Sequence, residues 1–177
     1  NMKKLGEKYA KIFKSDLAAL NIKRPDKFPK ASEHIEEDIA FVQLLESNGY
    51  TYETSDGLYF DTSKLDDYGE LAGGIAPDED TQSRVTNDEK RNPGDFAVWK
   101  FDNQLGWESP WGQGFPGWHI ECSVMAREYL GDFFDIHTGG IDHIPVHHTN
   151  EIAQTQGACG TDMANFWLHN DFMTIDD

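Results

Sequence analysis

Phe133-Phe134-Asp135-Ile136-His137-Thr138-Gly139-Gly140 is the stretch on which the fold turns. A short apolar run ended by paired glycines reads as a buried strand over residues 133–137 that enters a turn. Downstream, Pro145 lies near the start of a helix over about residues 146–158, closed by Gly160. Upstream, Gly112, Gly114, Pro116 and Gly117 form a loop that gives way to a helix over about residues 118–130. Phe166-Trp167-Leu168 and Phe172-Met173-Thr174-Ile175 add short apolar strands or connectors. This helix–strand alternation predicts an α/β fold with parallel strands.

The N-terminal part has a different pattern. Leu5, Tyr9, Ile12, Phe13, Leu17 and Leu20 recur at helical spacing, and the helix is expected to stop near Asn21 because Arg24 precedes Pro25. After a proline-bearing linker, Ser32 is the expected N-cap of a second helix. Its apolar face holds Ile35, Ile39, Val42 and Leu45, and Gly49 supplies its C-terminal cap. Residues 50–60 carry a β-hairpin signal around Ser55-Asp56-Gly57, and Phe96-Ala97-Val98-Trp99 restarts a strand. Between them, residues 61–92 are acidic and rich in turn formers, and are expected to be a solvated excursion.

Composition narrows the functional classes. The 177 residues carry a formal net charge of −17, and nine of the fifteen Lys and Arg residues precede Ala31. A body this acidic repels phosphate backbones, so no strong nucleic-acid binding is expected of this stretch by itself. No apolar run approaches the roughly 20 residues of a membrane-spanning helix, and Lys3-Lys4 is not followed by a secretory apolar segment. Two cysteines in a chain of this length predict reduced thiols and a cytoplasmic setting.

Five of the seven histidines lie between His119 and His148. His147 and Glu151 stand four apart on the expected helix and His148 and Glu151 three apart, so either histidine can converge with Glu151 on one ion. Cys122, near the start of the preceding helix, completes a sulfur, nitrogen and oxygen donor set that zinc accepts. Against that stands a plainer reading, with Cys122 a buried apolar residue and the His–Glu pair a surface ion pair. Trp118 reads as core or as a ligand platform. His137 falls at the carboxyl end of its expected strand, where open α/β sheets bind ligands. Asp142 can meet a cationic group in the same crevice, or serve as a turn carboxylate. No side chain stands out as a general acid or base. No GxxxxGK[ST] phosphate loop occurs, and no dinucleotide-binding fingerprint is expected.

Pro116-Gly117-Trp118-His119-Ile120-Glu121-Cys122-Ser123 is very similar to the zinc–cysteine motif of cysteinyl-tRNA synthetases. So are residues 134–142 and 145–154, and, in the same order, Leu20-Asn21-Ile22, residues 29–35, Tyr59-Phe60-Asp61 and residues 90–96. The resemblance implies part of a split Rossmann-like class I nucleotide-binding fold with an inserted α+β connective module. Residues 1–24 would end the first half of the core, residues 25–112 form the insertion, and residues 113–177 form the second half with the zinc and cysteine site. It implies zinc held by Cys122, His147 and Glu151, with the family's fourth ligand, a cysteine, outside this chain. Trp118, His137 and, more loosely, Asp142 match residues that line the cysteine pocket. Thr149 stands where the family usually has Glu, at a position that does not bind the metal.

The implied activity is ATP- and Mg2+-dependent activation of L-cysteine and its transfer to tRNA(Cys). His-Ile-Gly-His and Lys-Met-Ser-Lys-Ser, the two ATP signatures of class I synthetases, are absent from this stretch, so the isolated chain is expected to be inactive. Three rival readings share these motifs. One is a cysteine ligase of the mycothiol type, and another is a free-standing zinc-binding module. The third is a hydrolytic zinc enzyme with Glu121 as its nearest general base.

Overall fold

Helix α1 (Met2–Ala19) stops at Asn21, whose φ of 57° is left-handed. Ile22 N–H donates to Leu17 O at 2.9 Å and Asn21 N–H to Ala18 O at 3.2 Å, a paired closure that satisfies the last helical carbonyls. The computed structural model describes residues 2–74 and 87–175, and residues 1–30 form one compact unit and residues 31–177 a second.

In the second unit, helix α2 (Ile35–Ser47) begins later than expected. Ser32 is not its cap: it lies in a 3-10 turn, Ala31–Glu33, that continues through His34 N–H to Ala31 O at 3.0 Å. His34 occupies the cap position without a side-chain bond to the helix, and Glu36 and Glu37 complement the positive end of the helix instead. Gly49, at φ +80°, closes the other end as expected.

The hairpin forms from β1 (Thr51–Thr54) and β2 (Gly57–Phe60). Strands β3 (Phe96–Phe101) and β4 (Gly114–Pro116) extend it into an antiparallel sheet of order β1-β2-β3-β4. The excursion between β2 and β3 is less solvated than expected where it is described. Asp61, Thr62 and Asp95 are buried, and Asp95 accepts from Tyr52 Oη at 2.7 Å, Thr62 Oγ1 at 2.8 Å and the amides of Thr62 and Asn92 at 2.9 Å. Residues 75–86 of that excursion lie outside the described residues.

Gly112-Gln113-Gly114-Phe115-Pro116-Gly117, expected to be a plain loop, has the spacing of a dinucleotide fingerprint. Its structural context is wrong for one, because Gly114–Pro116 is an antiparallel strand. The glycines serve close backbone approach: a Cβ on Gly114 or Gly117 would overlap the carbonyl of Lys100 or Ala97.

Helix α3 (Trp118–Leu130) follows at once, then β5 (Phe134–Gly140), a π-helical turn (Ile144–His148), α4 (Thr149–Cys159) and β6 (Ala164–Asn170). Strands β5 and β6 pair in parallel, as the alternation predicted, with His137 opposite Trp167 and Gly139 opposite His169. The chain is therefore mixed α/β. Phe41, Val42 and Leu45 of α2 share one core with Phe60, Val98 and Trp99 of the antiparallel sheet, Ile120 and Val124 of α3, and Ala153 of α4.

Two expectations need correction here. Strand β5 is not buried: Ile136 is 52% and its neighbour Phe166 65% exposed, because within these residues only one face of the two-stranded sheet is covered. His137 lies in mid-strand, since Gly139 and Gly140 extend the strand before the chain turns. Of the two expected strands or connectors, residues 166–168 lie in β6 and residues 172–175 are an exposed connector.

Candidate metal centre

Four elements bring the chemistry together. The first two turns of α3 supply Trp118, His119 and Cys122, and β5 supplies His137. The π-helical turn supplies His147 and His148, and α4 supplies Glu151. Pro145 sits in the first positions of that wide turn, where its missing N–H is not needed.

Sequence spacing left two histidines open, and the geometry uses both. Cys122 Sγ, a ring nitrogen of His147 and a carboxylate oxygen of Glu151 lie within 4.8 Å of one another. A ring nitrogen of His137, one of His148 and a Glu151 oxygen meet the same criterion. Glu151 is completely buried and divides its oxygens between the two groups. Oε2 is 2.8 Å from His137 Nε2 and 3.9 Å from His148 Nε2, whereas Oε1 faces His147 Nε2 at 3.8 Å.

Neighbouring rings set the histidine orientations. His119 Nδ1 lies 2.8 Å from His147 Nδ1, which leaves His147 Nε2 directed at Glu151. His148 Nδ1 lies 2.7 Å from His169 Nε2. Partners of this kind fix tautomer and ring orientation at metal sites. His119 beside Trp118 and His169 in β6 are site residues that local sequence pattern does not single out. His169 reaches the site through the parallel register, a long-range pairing that no local pattern announces. Tyr68 Oη donates to Asn150 Oδ1 at 2.7 Å and ties the loop after β2 to the residue before Glu151.

Trp118, His147 and Asp142 border one cavity of about 640 Å³, together with Tyr59 and Lys100 of the antiparallel sheet. Trp118 is exposed toward it, with its ring 4.3 Å from that of His147. Asp142 is exposed in a 3-10 turn (Ile141–His143), and the lack of a Cβ on Gly140 leaves room for its carboxylate. His137 packs between His148 and Trp167, with ring centroids 4.7 Å from each.

Burial governs the electrostatics. It pushes the Cys122 thiol up to about 12, with Glu151, Glu121 and Asp38 adding to the rise. Burial also lowers His147 to about 4, and His119 and His148 to about 3, with further depression from neighbouring imidazoles. Glu151 is raised by burial and held back by the hydrogen bond from His137. Burial thus favours the neutral forms of Cys122, His147 and His148 beside the buried Glu151 carboxyl. Glu151 Oε1 is moreover buried without a hydrogen-bond partner among the described residues. An orphaned carboxylate oxygen beside a thiol and an imidazole nitrogen fits a divalent cation, and a mixed sulfur, nitrogen and oxygen set suits zinc.

Comparison with known proteins agrees in extent and kind. The family model described as tRNA synthetases class I (C) catalytic domain matches residues 1–177. The chain belongs to this family. The class I (C) domain seen here is 51% identical to cysteine–tRNA ligase 1 of Burkholderia lata, over 97% of this chain and 38% of that protein. It is 51% identical to the cysteine–tRNA ligase of Treponema denticola and 48% identical to that of Pyrococcus horikoshii. Each alignment covers 97% of this chain, with 36% and 37% of the relative. The class I (C) domain described here thus spans a little over a third of the relatives it matches. Among its described residues no helix is long and apolar enough to cross a membrane, and Cys122 and Cys159 are free thiols.

Proposed function

We propose that the chain is the zinc-binding part of a cytoplasmic cysteine–tRNA ligase, which activates L-cysteine with ATP and Mg2+ and transfers it to tRNA(Cys). One observation carries this reading: Cys122, His147 and the orphaned Glu151 Oε1 converge, and His147 also borders the cavity that Trp118 and Asp142 line. Those three side chains would hold zinc. When bound, it supplies a soft Lewis-acidic position that prefers a thiolate to a hydroxyl. That preference matters because a one-atom difference in an apolar pocket gives only about 1–3 kcal/mol of discrimination.

The protein's own groups do the rest by position. His119 holds the ring of His147, and Tyr68 and Asn150 anchor the turn before Glu151. Trp118 and His137 form walls against the amino-acid side chain, and Asp142 meets the ammonium group at the cavity mouth. Residues 113–177 serve as the second half of a split Rossmann-like core, and residues 1–24 end its first half. Residues 25–112 are the connective insertion. The parallel β5–α4–β6 crossover and the open face at Ile136 and Phe166 support that placement. Relatives at 48–51% identity that carry the name cysteine–tRNA ligase favour tRNA over an amino-sugar acceptor.

The test is cysteine-dependent ATP–pyrophosphate exchange by the full-length protein, followed by charging of tRNA(Cys). Cys122→Ala should abolish activation of cysteine. Exchange that is undiminished in that variant, or equal with serine and cysteine, would remove the reading.

A further inference from the structure

The second donor group has the features of a metal position in its own right. His137, His148 and Glu151 come from three different elements, with side chains 19%, 3% and 0% exposed. Their donor atoms lie within 4.8 Å of one another, and none is a sulfur. Two independent details prepare His148 for this role. His169 engages Nδ1 at 2.7 Å, which leaves Nε2 directed toward Glu151 Oε2. Across the ring, a Cβ on Gly139 would lie 2.7 Å from His148 Nε2, so the strand passes this close to the nitrogen only because it has glycine there.

We propose that Glu151 is a bridging carboxylate, with Oε1 serving the Cys122–His147 position and Oε2 serving a second, weaker divalent-cation position with His137 and His148. To enter, the cation replaces the proton now shared between His137 Nε2 and Glu151 Oε2. The proton moves to Nδ1 if it rode on His137, and is released to water if it rode on Glu151. The 2.8 Å separation of the two atoms then widens slightly to admit bonds of about 2.0–2.2 Å each. With nitrogen and oxygen donors only, and a carboxylate already shared, this position fills after the first. Occupying it ties His137 to the metal. If His137 walls the amino-acid pocket, as the proposed function has it and as this consequence requires, excess zinc then opposes amino-acid binding.

Cobalt(II) titration of the metal-free full-length protein tests this. The first equivalent should bring a thiolate-to-cobalt charge-transfer band from Cys122, and the second only ligand-field absorption. His148→Ala should lose the second step and keep the first. His169→Ala, which removes no ligand, should weaken the second step about tenfold. Pyrophosphate exchange at free zinc fixed by a chelator buffer should fall as zinc rises, with about tenfold more zinc needed in His169→Ala. A single equivalent of cobalt would overturn the proposal, as would a second that persists in both His137→Ala and His148→Ala. Because the titration reads metal and not turnover, it decides for or against the second position even if the assigned activity fails.

Discussion

Glu151 Oε1 lies 3.8 Å from His147 Nε2, one helical turn along the chain, buried and with no hydrogen-bond partner among the described residues. A carboxylate oxygen left this way costs stability unless something cationic meets it. The centre is therefore organised for a metal at the expense of the metal-free fold.

Zinc affinity should depend steeply on pH. The Cys122 thiol, pushed up to about 12, is protonated throughout the neutral range and must lose its proton to bind. One proton is then released per zinc, so affinity should rise about tenfold per pH unit between roughly pH 6 and 8. Competition with a chromophoric chelator across that range gives the slope. A flat profile would mean that the thiol does not ligate.

Asp38 should be a liability above neutral pH. Burial, then Glu121 and Glu37, raise this completely buried carboxyl from 3.8 to about 7, and neither oxygen has a hydrogen-bond partner among the described residues. Because the folded-state pKa is raised, the penalty is absent below the unfolded value, grows through the window between the two, and is complete above about 7. Asp38→Leu should therefore stabilise the protein by on the order of 3 kcal/mol at pH 8 and by little near pH 4. Urea unfolding at the two pH values checks the difference.

Gly117 should not tolerate a side chain. It precedes Trp118 at the start of α3, and a Cβ there would overlap the Ala97 carbonyl of β3. Gly117→Ala should cost about 1–3 kcal/mol and, by displacing α3, reduce zinc retention as well. Unfolding and metal content, measured on the same preparation, would show both effects. An unperturbed protein would mean that strand and helix are less tightly apposed.

How much of this is legible in the sequence follows from the range of each interaction. The α1 stop, the Gly49 cap, the hairpin, α3 and the parallel pair are readable because glycine, proline and apolar periodicity act locally. The Cys122, His147 and Glu151 trio is reachable from helical spacing together with family likeness. Ser32 misleads because a 3-10 turn takes up the residue that would have capped α2. The buried Asp95 network and the His148–His169 contact rest on pairings across 33 and 21 residues, which sequence periodicity does not encode. The exposed face of β5 has the composition of a core strand, and composition does not say which elements will cover it.

The 177 residues alone should not activate cysteine. They carry neither ATP signature, and the groups that position and neutralise a triphosphate normally supply most of such catalysis. Cysteine-dependent ATP–pyrophosphate exchange by this chain, above a buffer blank, would contradict that expectation.

The most direct test of the central claim is zinc content after dialysis against trace chelator, measured for the protein and for Cys122→Ala, His147→Ala and His148→Ala. The parent should retain one zinc, Cys122→Ala and His147→Ala should lose it sharply, and His148→Ala, whose ring serves only the weaker position, should retain nearly as much as the parent. Loss in His148→Ala with retention in His147→Ala would place the metal on the wrong side of Glu151, and full retention in all three would contradict the centre altogether.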